Sequence, residues 1–283
     1  MNDLAEVRQG WDFIREWLDD QPDNDGVLNS MRQVVENERT GSQFATTFMC
    51  SASKQRDDAN QWRLYANTGR GYAVELDASV RLAVKALGER AHPALTGTGQ
   101  PSWETLILDS AFVSPWLEVL YENSAKVRAL DGLAANARFY SENLPVKSST
   151  YEEFGEATQQ FQADLSIELA TIAQIMKSPG FAGENEIRTV VSFAAGDDHV
   201  LYRETDYGVV GYVRLGRHPA PRGEGAVVYP SEHREHKELQ RLPIRSVGLG
   251  PLLSAQNNRV TVERLMQRAG HPNSVWDSKI PLR

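Results

Sequence analysis

Apolar side chains recur every three or four residues in several parts of the chain. This spacing places them on one face of a helix. Asn2 or Asp3 can cap the first helix, and Pro22 marks its end. The predicted helices run from this cap to Leu18 and over Leu28–Arg39, Trp116–Tyr140, Tyr151–Met176 and, after an Asn257-Asn258 cap, Val260–Arg268. We expect the middle helices to cover one side of a sheet.

Other segments are rich in β-branched and aromatic residues between turn-forming residues, which is typical of strands. The predicted strands are Phe44–Cys50, Tyr72–Leu76, Arg188–Phe193, Val200–Tyr202, Val209–Leu215, Ile244–Leu249 and an edge segment at Ser278–Leu282. Turn signals between Arg188 and Leu215 predict an antiparallel meander. Strands lie at both ends of the chain, with a mostly helical segment around 103–178 between them. The sequence therefore predicts one α+β domain over 1–283 with a mixed, mainly antiparallel sheet, of which a split sheet is one form.

Composition narrows the class of protein. The 283 residues are 41% hydrophobic, enough to bury a substantial core, and no apolar run approaches the roughly 20 residues needed to cross a bilayer. The polar, acidic start does not look like a secretory signal, and Cys50 is the only cysteine, so we expect a cytoplasmic protein without an internal disulfide. The formal charge of -8 argues against nucleic-acid binding driven by the overall field, although a local basic groove is compatible with it.

The sharpest local pattern is a run of charged residues where a loop enters a strand. Glu184, Glu186 and Arg188 alternate, so a strand would place all three on one face. Close carboxylates repel one another, and Arg188 could hold one of them ionised. The pattern is equally that of an exposed strand face with an ordinary salt bridge.

A second pattern combines hydroxyl groups with aromatic side chains. Ser51 and Ser53 follow a predicted strand, and Trp62 and Tyr65 lie three residues apart on a predicted short helix. The aromatic pair could form a wall beside the hydroxyls, or it could belong to the core. Asp57-Asp58 is interpreted as the start of that helix rather than as a metal site, and we predict no bound metal.

Taken together, these segments resemble a bacterial family, domain-of-unknown-function family 2971. The resemblance covers most of the chain and depends on short motifs in a shared order. These motifs are Asn2-Asp3-x-x-Glu6, Phe48-x-x-Ser51, Gln61-Trp62-x-x-Tyr65, Gly69-x-Gly71, Lys177-x-x-x-Phe181-x-x-Glu184-x-Glu186-x-Arg188, Val247-Gly248-Leu249-Gly250-Pro251 and Ser278-Lys279-Ile280-Pro281-Leu282-Arg283. The family name itself implies no activity.

The chain is more loosely similar to ADP-ribosyltransferase domains, in which a serine-bearing strand and a Glu-x-Glu turn grip NAD. This similarity implies an NAD-using enzyme, with a toxin or defence effector as one form. Glu186 would be the principal catalytic residue and Glu184 its support. Ser51, Ser53 and Arg188 would bind substrate, with Trp62 or Tyr65 near the nicotinamide, and the acceptor would be an unidentified protein or nucleic acid.

Two alternatives remain open at the level of sequence. Family members carry a further strand, with a histidine and a tyrosine, before the Asn-Asp segment at which this sequence begins. A non-catalytic module that binds a nucleotide or a protein, without that first NAD-binding strand, is therefore the main alternative. A metal-dependent nuclease using Asp57, Asp58, Glu184 and Glu186 is the weaker one.

Overall fold

The computed structural model describes residues 4–40, 46–84, 111–143, 151–193, 200–205, 208–217, 241–253 and 256–281. The candidate caps Asn2 and Asp3 lie outside these residues. Contacts divide the chain into two compact units, which we call unit 1 and unit 2. Unit 1 contains Met1–Ala52 and Ser110–Asp198, and unit 2 contains Ser53–Asp109 and His199–Arg283. That the two units behave as one domain stays a prediction.

Helices and mostly antiparallel strands are both abundant in the described residues, which confirms the predicted α+β class. The helices are α1 Leu4–Asp19, α2 Gly26–Arg39, α3 Ala59–Tyr65, α4 Asn123–Asn143, α5 Tyr151–Ile175 and α6 Gln256–Arg268. The strands are β1 Thr46–Ser53, β2 Tyr72–Leu76, β3 Leu82–Val84, β4 Ala111–Val113, β5 Leu117–Glu118, β6 Glu186–Phe193, β7 Leu201–Thr205, β8 Gly208–Tyr212, β9 Leu215–Arg217, β10 Ile244–Leu249 and β11 Val275–Asp277. No helix in these residues is long and apolar enough to span a membrane.

Several predicted boundaries are wrong. Strand β1 continues to Ser53, so Ser51 and Ser53 belong to it rather than following it, and the predicted strand Val209–Leu215 is divided between β8 and β9. The helix expected from Trp116 starts only at Asn123, because Leu117 and Glu118 pair with β6 instead. Helix α6 already begins at Gln256, so Asn258 lies inside it rather than capping it. The closing strand is β11, which ends just before the predicted edge segment begins at Ser278.

The core of unit 1 is a helical cluster formed by α1, α2, α4 and α5. Ile14 of α1, Leu28 and Met31 of α2, Leu130 of α4 and Leu169 of α5 are fully buried. Burying each such side chain stabilises the fold by about 1.5–3 kcal/mol. Helices α1 and α5 approach closely at Gly10, where an added Cβ would lie 2.1 Å from the carbonyl oxygen of Ala173. Only glycine fits there.

The sheet of unit 1 has the order β1-β6-β4, and β5 also pairs with β6. Strand β6 is therefore a central strand, and most of its residues are buried. The predicted meander is wrong at this point, because β6 pairs with strands from distant parts of the chain. Strands β7 and β8 do form an antiparallel hairpin with each other.

Unit 2 contains a sheet of order β11-β10-β2, in which β10 runs parallel to β11 and antiparallel to β2. Val262 and Met266 of α6 pack against Val247 and Leu249 of β10. On strand β10, an added Cβ at Gly248 would lie 2.3 Å from the Trp276 ring, so the missing side chain makes room for the indole. Strands β3 and β9 form a separate antiparallel pair.

Candidate functional site

Glu186 and Arg188 lie on the same face of β6, as strand alternation requires. The Arg188 Nε atom donates to Glu186 Oε1 at 2.9 Å, and its Nη2 atom donates to Glu186 Oε2 at 2.9 Å. Arg188 is 1% exposed and Glu186 is 8% exposed. This two-point contact fixes the direction of the carboxylate as well as its charge. Arg188 is therefore the two-point hydrogen-bond and ion-pair partner of Glu186 in this fold.

Lys177 brings the two predicted glutamates together. Its Nζ atom lies 2.8 Å from Glu184 Oε2 and 3.2 Å from Glu186 Oε2, and the residue is 5% exposed. The ring centroid of Phe181, a residue 46% exposed, lies 4.8 Å from the same nitrogen. A lysine placed between two carboxylates removes much of the repulsion that would otherwise separate them.

Glu6, in the first turn of α1, completes the charged network. Its Oε2 atom lies 2.7 Å from Arg188 Nη2, and its Oε1 atom lies 3.0 Å from Lys177 Nζ. The Arg188 Nη1 atom also donates to the backbone carbonyl of Gln174 at the end of α5. The network thus joins helices α1 and α5 to strand β6. We call Glu6, Lys177, Glu184, Glu186 and Arg188 the charged cluster.

Glu184 reaches the cluster by a different route from the one predicted. It ends a 3-10 helix, Pro179–Glu184, and therefore does not lie on β6. Asn185 follows in the left-handed region at φ 47° and turns the chain into the strand. Alternation accounts for Glu186 and Arg188, whereas the position of Glu184 depends on this turn.

Ser51 meets Glu186 across the sheet, since β1 and β6 are neighbours. Its hydroxyl donates a hydrogen bond to the Glu186 carboxylate, and Ser51 itself is exposed. On the other side, the Tyr121 hydroxyl accepts a 3.0 Å hydrogen bond from the Glu186 backbone N–H. The buried carboxylate is therefore linked to the surface of unit 1 through Ser51.

Opposing effects act on the pKa of Glu186. Burial alone would raise it, but hydrogen bonds from Arg188 and Ser51, together with the charges of Arg188 and Lys177, lower the pKa below its usual value. Burial would conversely lower the pKa of Lys177, but contacts with Glu184, Glu6 and Glu186 raise it instead. Burial raises the pKa of the Tyr121 phenol. Glu186 is therefore ionised at neutral pH and Lys177 is protonated.

The charged cluster contains three carboxylates and two cations, so its formal charge is -1 when all five groups are ionised. An ionised carboxylate in a cluster of net negative charge can stabilise positive charge that develops on a bound molecule. It is a poor general base, because a lowered pKa weakens proton abstraction. The geometry thus fits electrostatic stabilisation and hydroxyl binding.

The remaining predicted site residues belong to unit 2. Ser53 ends β1, and its Oγ atom accepts from the Gln55 backbone N–H at 3.1 Å. Trp62 is 3% exposed and its ring packs edge-on against Trp276, whereas Tyr65 is 67% exposed. Trp62 is therefore a core residue, and the two aromatic side chains do not form one wall.

The Asp57-Asp58 pair starts helix α3, as predicted. Asp58 caps it by accepting from the N–H groups of Asn60 and Gln61. Asp57 accepts from Trp62 Nε1 at 2.6 Å, Ser278 Oγ at 2.6 Å and the Lys279 backbone N–H at 2.8 Å. Within the described ranges, no group of three or more His, Cys, Asp or Glu side chains is placed to hold a metal ion.

Sequence reasoning did not assign roles to Glu6, Tyr121 or Lys177. Glu6 and Lys177 belong to the motifs that carry the family resemblance, but no local sequence pattern indicates that their side chains meet. Glu6 lies 182 residues from Arg188, and Tyr121 lies 65 residues from Glu186. The one available signal was an excess of acidic over basic residues in the Glu184–Arg188 run, which called for a further cation.

Comparisons with protein-family models, with curated proteins and with solved structures found no match to this chain. The family resemblance therefore stays a prediction from the motifs.

Proposed function

We propose that this protein is an ADP-ribosyltransferase-like enzyme that uses NAD as its substrate, with Glu186 as the catalytic carboxylate. The observation that carries the proposal is the hydrogen bond from the Ser51 hydroxyl to Glu186, made by residues 135 positions apart. A serine-bearing strand end beside a Glu-x-Glu turn is the arrangement that the resemblance implies. Glu184 supports the site from the preceding turn, and Arg188 holds the carboxylate in place.

The proposed chemistry is cleavage of the bond between C1′ of the ribose and the nicotinamide nitrogen. Nicotinamide leaves as a neutral molecule, and positive charge develops on the ribose as in glycoside hydrolysis. An acceptor hydroxyl, from a protein, a nucleic acid or water, forms the new bond to C1′ and releases its proton to solvent. The ionised Glu186 stabilises the developing charge.

Substrate binding requires an exchange of hydrogen bonds at Glu186. A carboxylate offers about four lone-pair positions, and Arg188, Lys177 and Ser51 already donate to them. Arg188 and Lys177 are buried, but Ser51 is exposed and can turn away. A ribose hydroxyl would take the place of the Ser51 hydroxyl, which can then donate to the substrate.

The direct test is nicotinamide release from labelled NAD by the wild type and by Glu186→Gln. We expect the variant to lose about 10²–10³-fold in rate, the effect of removing one electrostatic contact to the transition state. Glu16→Gln is the matched control, because Glu16 is an exposed glutamate on α1 of the same unit. Undiminished turnover in Glu186→Gln would remove Glu186 from the mechanism.

Loss of folding in Glu186→Gln would imitate loss of catalysis, since two cations would lose a charged partner. Ser51→Ala avoids this, because it leaves every charge of the cluster in place. We expect it to slow nicotinamide release by about tenfold, with its circular dichroism spectrum unchanged. Equal turnover in Ser51→Ala and wild type would contradict the exchange at Glu186.

The second candidate is a non-catalytic module that binds a nucleotide or a protein. The observation in its favour is that the hydrogen-bonding capacity of Glu186 is already filled within the protein, as in a structural ion cluster. This candidate predicts saturable binding of NAD or another nucleotide without nicotinamide release. It also predicts that Glu186→Ala weakens this binding, whereas the enzyme predicts that turnover depends on Glu186.

As a toxin or defence effector, such an enzyme would modify protein or nucleic acid in the cytoplasm. Expression in bacteria separates this role from the binding module. Growth arrest by the wild type and its relief by Glu186→Gln would support the effector. Growth unaffected by the wild type would count against it.

A further inference from the structure

An apolar groove of about 410 Å³ lies in unit 2, between strand β2 and helix α6. Val247 of β10 and Val262 and Met266 of α6 line its interior and are 7%, 9% and 6% exposed. Tyr72 of β2 and Leu265 of α6 also line it, and they are 51% and 58% exposed. The volume is near the lower end of the range of small-molecule sites, about 300–1,000 Å³.

The groove ends at a turn that closes α6. The Gly270 N–H donates to the Gln267 carbonyl and the His271 N–H donates to the Met266 carbonyl, which together form a Schellman motif. Gly270 has a φ of +71°, a conformation that suits glycine. This turn places His271 in the lining of the groove and brings Arg241 beside it.

Arg241 supplies a positive charge at this end. Its Nη1 atom makes a long hydrogen bond of 3.4 Å to the Gly270 carbonyl oxygen, and the residue is exposed. In the part of the chain that the structure describes, no carboxylate lies within ion-pair distance of it. Burial and the Arg241 charge lower the pKa of His271, so the imidazole is neutral at pH 7 and adds no second charge.

We propose that this groove binds an anionic amphiphile, with an unbranched aliphatic chain between β2 and α6 and a carboxylate at Arg241. The aliphatic lining favours the alkyl chain, and each buried methylene group would add about 0.8 kcal/mol to the binding free energy. The guanidinium favours an anion over a cation of equal chain length. It can donate a charge-assisted hydrogen bond to a carboxylate, whereas it repels a cationic head group. This site is independent of the proposed NAD chemistry.

The test uses dodecanoate, dodecanol and dodecyltrimethylammonium, each titrated below its aggregation limit into the full-length wild-type protein by calorimetry. We expect dodecanoate to bind at least about tenfold more tightly than dodecyltrimethylammonium, with dodecanol between them. No binding of dodecanoate, or equal affinity for the anion and the cation, would overturn the proposal.

Two variants separate the head-group contact from the groove. Arg241→Gln should weaken dodecanoate binding by about tenfold and leave dodecanol binding unchanged. Ala269→Trp places a large side chain in the groove from the exposed turn that follows α6, and it should abolish the binding of both. Arg63→Gln, at an exposed arginine of α3 in the same unit, is the matched control for charge.

Each variant result decides for or against the proposal. Circular dichroism of Ala269→Trp shows whether the fold is kept, and if it is not, Arg241→Gln carries the test alone. Dodecanoate affinity that is equal in Arg241→Gln and Arg63→Gln would place the carboxylate elsewhere and overturn the site. Undiminished binding in a folded Ala269→Trp would do the same.

Discussion

Glu186 in unit 1 and Asp57 in unit 2 are both carboxylates on which several hydrogen bonds converge, but their donors differ. Glu186 accepts hydrogen bonds from Arg188, Lys177 and the Ser51 hydroxyl, so most of its donors are charged. Asp57 accepts hydrogen bonds from the Trp62 indole, the Ser278 hydroxyl and a backbone N–H, and all three donors are neutral. For both, burial would raise the pKa, and the hydrogen bonds outweigh it and lower the pKa.

The comparison separates two uses of a carboxylate. Neutral donors orient Asp57 and join residue 57 to residue 278, which holds the end of the described chain against the start of α3. Charged donors make Glu186 one part of a buried ion cluster in which no member can be removed without leaving another charge unbalanced. An ionised and firmly oriented carboxylate is also what the proposed chemistry requires, so the same contacts serve stability and function.

The largest expected effect is that of Arg188→Leu. The substitution leaves Glu186 and Glu6 buried with Lys177 as their remaining cation, and we expect it to lower the free energy of unfolding by about 3–5 kcal/mol. Urea denaturation of the variant beside wild type measures this loss. A loss below about 1 kcal/mol would mean that the cluster is exposed to solvent and resembles a surface ion pair.

Asp57→Asn should have a smaller effect. The asparagine keeps one acceptor oxygen but presents an NH₂ group where Asp57 accepts from the Lys279 N–H, so we expect a loss of about 1–2 kcal/mol. Limited proteolysis should also cut the segment from Ser278 onward sooner than in wild type. Equal proteolysis rates would show that other contacts hold this segment.

The two carboxylates should contribute to stability over different ranges of pH. Each has a lowered pKa, so its contribution is fully present above the ordinary value, 4.5 for Glu186 and 3.8 for Asp57, and is lost as pH falls through the folded pKa. Acid unfolding of Glu186→Gln and Asp57→Asn should each lack one contribution. Lys177 has a raised pKa, so its contribution is present below 10.5 and is lost only as pH rises above that value. Identical acid profiles in wild type and both variants would contradict this assignment.

Ser51→Ala should have the smallest effect on stability. The hydroxyl is exposed, so its removal should cost about 0.5 kcal/mol and should move the pKa of Glu186 upward, toward its ordinary value. Carbon-detected NMR of labelled glutamate can follow this titration. A Glu186 pKa that does not change would show that Ser51 makes no significant hydrogen bond to it.

Local patterns were sufficient for much of the fold. Strand β2 was predicted with both boundaries correct, and most helices were found to within a few residues, because each has enough turns or alternations to show its period. Strands of two or three residues, such as β5, are too short for a period to appear. The sequence around β5 therefore predicts the start of a helix instead of a strand.

The candidate site was only partly predictable for a related reason. Glu186 and Arg188 share a strand, so alternation places them together, but Glu6 and Tyr121 reach them by tertiary packing that no local spacing encodes. The different burial of Trp62 and Tyr65 has the same cause. Helical spacing places the two side chains near one another, but it does not indicate which of them packs against the Trp276 ring.

A double-mutant cycle on nicotinamide release tests the central claim that Ser51 and Glu186 act as one unit. The four proteins are wild type, Ser51→Ala, Glu186→Gln and the double variant, with release from labelled NAD measured at saturating substrate. We predict that Ser51→Ala slows the wild type by about tenfold and adds no further loss to Glu186→Gln. Rates in which the two losses multiply, or equal release by all four proteins, would contradict the account.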